Sequence, residues 1–122
     1  MGKIWLAVAI FSAAAPAWAQ NAEQVTAAVG VQMDSYKACL RQHVVASATS
    51  VKTKKELLTL AVEDKIFTEA IASCRNEKQD LLDHLQMAPI GASSDVARSS
   101  VQSFDEMLRP QMTQTMRAAW AS

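Results

Sequence analysis

Apolar residues recur along most of this chain at three- and four-residue steps, and strict alternation is hard to find. That period stacks side chains on one face of a helix, whereas a strand needs a period of two. Over residues 21–47, Val25, Val29, Met33, Tyr36, Leu40 and Val44 form such a stripe. Gly30 lies inside it, where glycine costs a helix up to ~1 kcal/mol relative to alanine. The stretch Ala48-Thr49-Ser50-Val51-Lys52 reads as the first break. Thr53 then precedes Glu56 by three residues. That is the spacing of a capping box, in which the hydroxyl accepts from the glutamate amide and the carboxylate reaches back. A second helix with Leu57, Leu58 and Leu60 is expected to start there. Apolar positions resume at Ile66, Phe67, Ala70, Ile71, Cys74, Leu81 and Leu85, and Pro89 and Gly91 stop the run. Ser93 or Ser94 can cap a last helix, with Asp95 near its positive end. Its stripe reads Val101, Phe104, Leu108, Met112, Met116 and Trp120, and Pro110 is expected to bend it.

The first residues follow a different pattern. Lys3 precedes an uncharged, mostly apolar run over residues 4–15, then Pro16 and the small-x-small tripeptide Ala17-Trp18-Ala19. This is the layout of a signal peptide with its cleavage site. A membrane-spanning helix needs about 20 apolar residues, so an anchor is the weaker reading. The expected organisation is a signal peptide at 1–19 and a helical domain at 20–122, periplasmic or secreted. Both cysteines, Cys39 and Cys74, lie in the exported part. An even count in that compartment reads as a disulfide, and CxxC redox spacing is absent. Closing a loop of this length is worth on the order of 4 kcal/mol in the chain-entropy account.

The disulfide constrains the helices. In a plain antiparallel hairpin of 21–47 against 53–88, Cys39 lies 8 residues from the turn and Cys74 lies 21. The mismatch is roughly 20 Å of helix, against a disulfide's reach of about 4.4–6.8 Å between Cα atoms. A break near residues 62–65, with Asp64 as cap, removes it. The fold class expected is therefore all-α, about four helices at about 21–47, 54–62, 65–88 and 94–121, tied by one disulfide.

Composition narrows the function more by exclusion than by indication. Twelve basic residues balance twelve acidic ones in 122, so nothing favours nucleic acid as a partner. Three glycines leave no GxGxxG or GxxxxGK[ST] loop, and two cysteines with two histidines are too few for a zinc finger or an iron–sulfur cluster. Ser99, Ser100 and Ser103 have no GxSxG or SxxK around them. With none of the usual constellations present, the chain reads as non-catalytic and without a cofactor.

What is left is a short set of candidates. His43 lies one turn beyond Cys39, on the disulfide side, and His84 follows Asp80 by four residues, the spacing of a metal or acid–base pair. Spacing fixes no third ligand, which favours a surface histidine. Met112 and Met116, four apart, offer soft thioethers to Cu(I), yet they also fit the apolar stripe. Lys52, Lys54 and Lys55 form a basic cluster that suits anionic lipid or envelope polymer, with a solvated turn as the plain alternative. Phe104, Leu108, Met112, Met116 and Trp120 on the last helix are the candidate partner-binding face, the alternative being that this stripe is the domain's own core. The reading is a small periplasmic or secreted binding or interaction protein. Its partner is another envelope protein or a second copy, with no transmembrane segment once the signal is removed. A copper-binding protein using methionines, or a small envelope enzyme or inhibitor, is the alternative.

Tyr36-Lys37-Ala38-Cys39-Leu40 and Thr68-Glu69-Ala70-Ile71-Ala72-Ser73-Cys74 resemble the YxxCL-like and AxxxC-like motifs of small exported helical proteins of proteobacteria. The resemblance covers about a dozen residues. It implies one disulfide and a bacterial periplasm, and it transfers no active site.

Overall fold

The periodicity resolves into four helices: α1 (Ala22–Thr53), α2 (Leu60–Ser73), α3 (Arg75–Gln86) and α4 (Ser94–Ala121). A computed structural model describes residues 22–122, with side chains from Ala27 onward; the expected signal segment and the Val25 side chain lie outside the described residues. Among the described residues there is no strand, and no helix is long and apolar enough to cross a membrane.

The chain runs up, down and up. Helix α1 is the spine and packs against the other three. Helices α2 and α3 together form the descending rod, broken at Cys74, and α4 returns beside both. The core is the apolar stripe of α1 (Tyr36, Leu40, Val44, Ala48) closed by Phe67 and Ala70 of α2, Leu81 and Leu85 of α3, and the inner face of α4. A kink interrupts α1 at Val29 (φ −128°, ψ 15°), the residue before Gly30.

The Cys39–Cys74 disulfide is formed, with 6.0 Å between its Cα atoms. It is reached by a different route from the one expected. Helix α1 does not stop at residue 47 but runs to Thr53. Ala48 is fully buried there, and the stretch holds no glycine or proline to stop a helix. Thr53 opens no capping box; its hydroxyl donates back to the Thr49 carbonyl at 2.9 Å and closes α1. The expected helix at 54–62 is absent as such. Residues 54–59 form a loop, and α2 begins at Leu60 with Thr59 as its cap, the Thr59 hydroxyl accepting from the Val62 amide at 3.2 Å. With these ends, Cys39 lies 14 residues before the end of α1 and Cys74 lies 14 residues after the start of α2. A plain hairpin therefore sets the cysteines level, and no break at 62–65 is needed. The expected helix 65–88 is instead divided at Cys74, whose backbone (φ −98°, ψ 23°) ends α2 and precedes α3.

The start of α4 is as the sequence marks it. Ser93 is its cap, accepting from the Val96 amide at 3.2 Å, and Asp95 sits in the first turn. The helix continues through Pro110 as one element.

Candidate functional site

The face of α4 expected to bind a partner is mostly core. Leu108, Met112 and Met116 keep 2%, 1% and 0% of their surface exposed. Their four-residue steps hold them on the side that packs against α1, so burial within the chain covers these three. The side chains of Met112 and Met116, candidates for a soft metal in the sequence, are thus enclosed within the chain. Phe104 is half-buried, its ring tilted against Tyr36 at 6.3 Å between centroids. Trp120 is half-buried at the far end, where its indole N–H donates to the Glu56 carbonyl at 3.1 Å.

The ionisable groups nearest the core cross-link helices. The Tyr36 hydroxyl donates to Asp105 Oδ1 at 2.5 Å, and Lys78 Nζ lies 3.0 Å from Asp105 Oδ2. The buried carboxylate on α4 thus joins α1 and α3. Burial, and then the bond to Asp105 and its charge, push the Tyr36 hydroxyl well above the ordinary tyrosine range. Buried Glu63 on α2 accepts two bonds from Arg117 of α4, at 2.8 and 3.1 Å. Arg109 donates to Asp64 at 2.9 Å while its guanidinium stacks 4.6 Å above the Phe67 ring. These links set α2 against α4.

The two histidines sit apart, on α3 and α1. His84 Nδ1 lies 2.8 Å from the Asp80 carbonyl and 3.3 Å from its carboxylate, the i,i+4 pair that the sequence spells out. His43 stands beside the disulfide. Among the described residues, Cys39, His43 and Cys74 are the one trio whose ligand atoms come within 4.8 Å of one another. Both sulfurs are bonded to each other, and it is the thiolate that ligates metals. Ser100 donates to the Val96 carbonyl at 2.8 Å.

The feature that burial does not account for is at the other end of the bundle, where α1 ends, α2 begins and α4 terminates. Among the described residues Leu60, 76% exposed, is the most exposed large apolar side chain, followed by Leu57 and Val31 at 73% each. Lys52, Lys54 and Lys55 are exposed beside them, and none enters an ion pair among the described residues. The loop that carries them is held firmly. The Lys55 amide donates to the Lys52 carbonyl at 2.9 Å and the Glu56 amide to the Val51 carbonyl at 3.0 Å. This is a Schellman closure, whose left-handed residue is ordinarily glycine. Here it is Lys55, at φ 58°. A side chain in that region costs roughly 1–2 kcal/mol, so the chain keeps a lysine where glycine would sit more easily.

No protein-family model, curated protein or solved structure matches this chain. The functional reading therefore rests on the tip itself.

The sequence marks the lysines but not the leucines, because Leu57 and Leu60 read as part of a helical stripe. Leu58, between them, packs on the core, and no spacing in the sequence separates it from its exposed neighbours. Asp105 and Lys78 read as solvated charges along helix faces. Only the depth of Tyr36 brings them into one node.

Proposed function

We propose that this is a small exported, non-catalytic interaction protein of a bacterial envelope, a disulfide-braced helical scaffold that binds through its Leu57/Leu60 tip. The carrying observation is a pair of exposed leucines, Leu57 on a loop pinned at both ends and Leu60 at the first position of α2. An exposed apolar pair on a fixed support is a binding feature more than a packing defect, because the surrounding chain already buries its other core leucines. The signal-like segment at residues 1–19 and the disulfide support export, since disulfides persist in oxidising compartments. Leu108, Met112 and Met116, being core, supply the scaffold.

The test is site-specific photocrosslinking in living bacteria. A photoreactive residue replacing Leu57 or Leu60 is expected to give adducts that the same residue at exposed Arg98, at the opposite end, does not give. Equal adducts at both ends, or none at the tip, would refute the reading.

A further inference from the structure

We infer that the tip docks on an anionic lipid surface, Leu57 and Leu60 entering the headgroup region while Lys52, Lys54 and Lys55 face the lipid phosphates. This rests on the reading of the tip as the binding surface and names what it binds. Three observations converge. The first is charge. Within residues 52–60 there are three lysines and one carboxylate, Glu56, although the whole chain is balanced. A local excess of positive charge is attracted to anionic headgroups at about 1 kcal/mol per lysine, or about fivefold in partitioning each.

The second observation is the pairing of those lysines with apolar side chains. Leu57 and Leu60 project from the same nine residues. Charge alone would suit a polyanion in water; exposed leucines next to lysines gain only where an apolar phase lies behind the charge. Peripheral attachment uses this combination, apolar insertion plus attraction to anionic lipid. The third is Trp120. Its indole is half-buried at the tip and hydrogen-bonded to the Glu56 carbonyl. Amphipathic indoles favour the membrane–water interface, and this one is bonded to the loop residue before Leu57. The described helices cannot cross the membrane, so the attachment is to its surface.

The experiment uses oxidised protein beginning at Gln20. It retains every described helix and omits the apolar run at residues 4–15, which would bind lipid by itself. Trp120 is then the only tryptophan and reports from the tip. Co-sedimentation and Trp120 emission are followed with vesicles of equimolar phosphatidylglycerol and phosphatidylcholine, and with phosphatidylcholine alone. Binding is expected to the anionic vesicles only, with blue-shifted emission, and to weaken as salt rises. Replacing all three lysines by Gln should lower partitioning by about a hundredfold. Leu57→Ser with Leu60→Ser should weaken binding and abolish the blue shift. Because all five side chains are exposed, far-UV circular dichroism should be unchanged. Arg98→Gln, at the other end, should change nothing. Equal binding to both vesicle types, or tip variants that bind like the parent, would overturn the proposal. So would binding to a water-soluble polyanion such as polyphosphate without binding to vesicles. If vesicles fail while tip crosslinks persist, lipid is the wrong occupant and the interaction reading stands; if both fail, the reading falls too.

Discussion

Asp105 is a carboxylate held in the core by a phenol and an ammonium group, and the consequences of that arrangement can be read one side chain at a time. Tyr36→Phe removes one donor and leaves the acid buried. Hydrogen bonds to charged groups are worth about 1.5–3 kcal/mol, and the loss should appear in urea denaturation as a stability decrease of that size. Tyr36 is also the only tyrosine, so its ionisation can be followed without ambiguity. Its hydroxyl is raised in the folded state above the ordinary value of 10.0. The stabilisation linked to it is thus complete below about pH 10 and is lost as pH rises toward the folded value. Tyrosinate absorbance should stay low in native protein at a pH where denatured protein already shows it. Co-titration of the two samples would contradict the buried hydrogen bond.

At the level of helices, α4 is the element whose role changed most between sequence and structure. Its stripe has the right period for either a core face or a partner face, and periodicity cannot tell which neighbour will cover it. The structure assigns it to α1. Met112→Ala should accordingly cost about 2–5 kcal/mol, as a large-to-small core change does, and thermal unfolding would register it. A nearly unchanged midpoint would mean that α4 is held loosely. Helix existence and type were legible from the three- and four-residue steps, as was the Ser93 cap. The ends near residue 53 were not. The Thr53–Glu56 pair imitates a capping box, and the real stop is a lysine in a left-handed turn, a conformation that sequence associates with glycine. The disulfide requires the helix ends to differ from 47 and 53, and they do so without a break at 62–65. Lengthening α1 and delaying α2 meets the same distance condition, and Cα reach alone does not choose between the two.

Taken whole, the molecule is three rods fastened at three heights: a disulfide at the bend of the middle rod, the Tyr36–Asp105–Lys78 node, and the Glu63–Arg117 pair nearest the tip. Replacing Cys39 and Cys74 by Ser should lower stability by about 2–5 kcal/mol. Because Trp120 ties the tip to α4, its emission and the helical signal should still be lost in one transition. Two separate transitions would show that the tip melts independently. The node also bears on how the chain can change over time. A buried acid that loses its donors is an uncompensated charge, which costs far more than a buried apolar residue in its place. Positions 36, 78 and 105 lie on three different helices and up to 69 residues apart, yet none can drift alone. In diverging descendants they should be inherited as a set or exchanged together for a hydrophobic trio, and intermediates that keep the acid without its partners should be the rare ones.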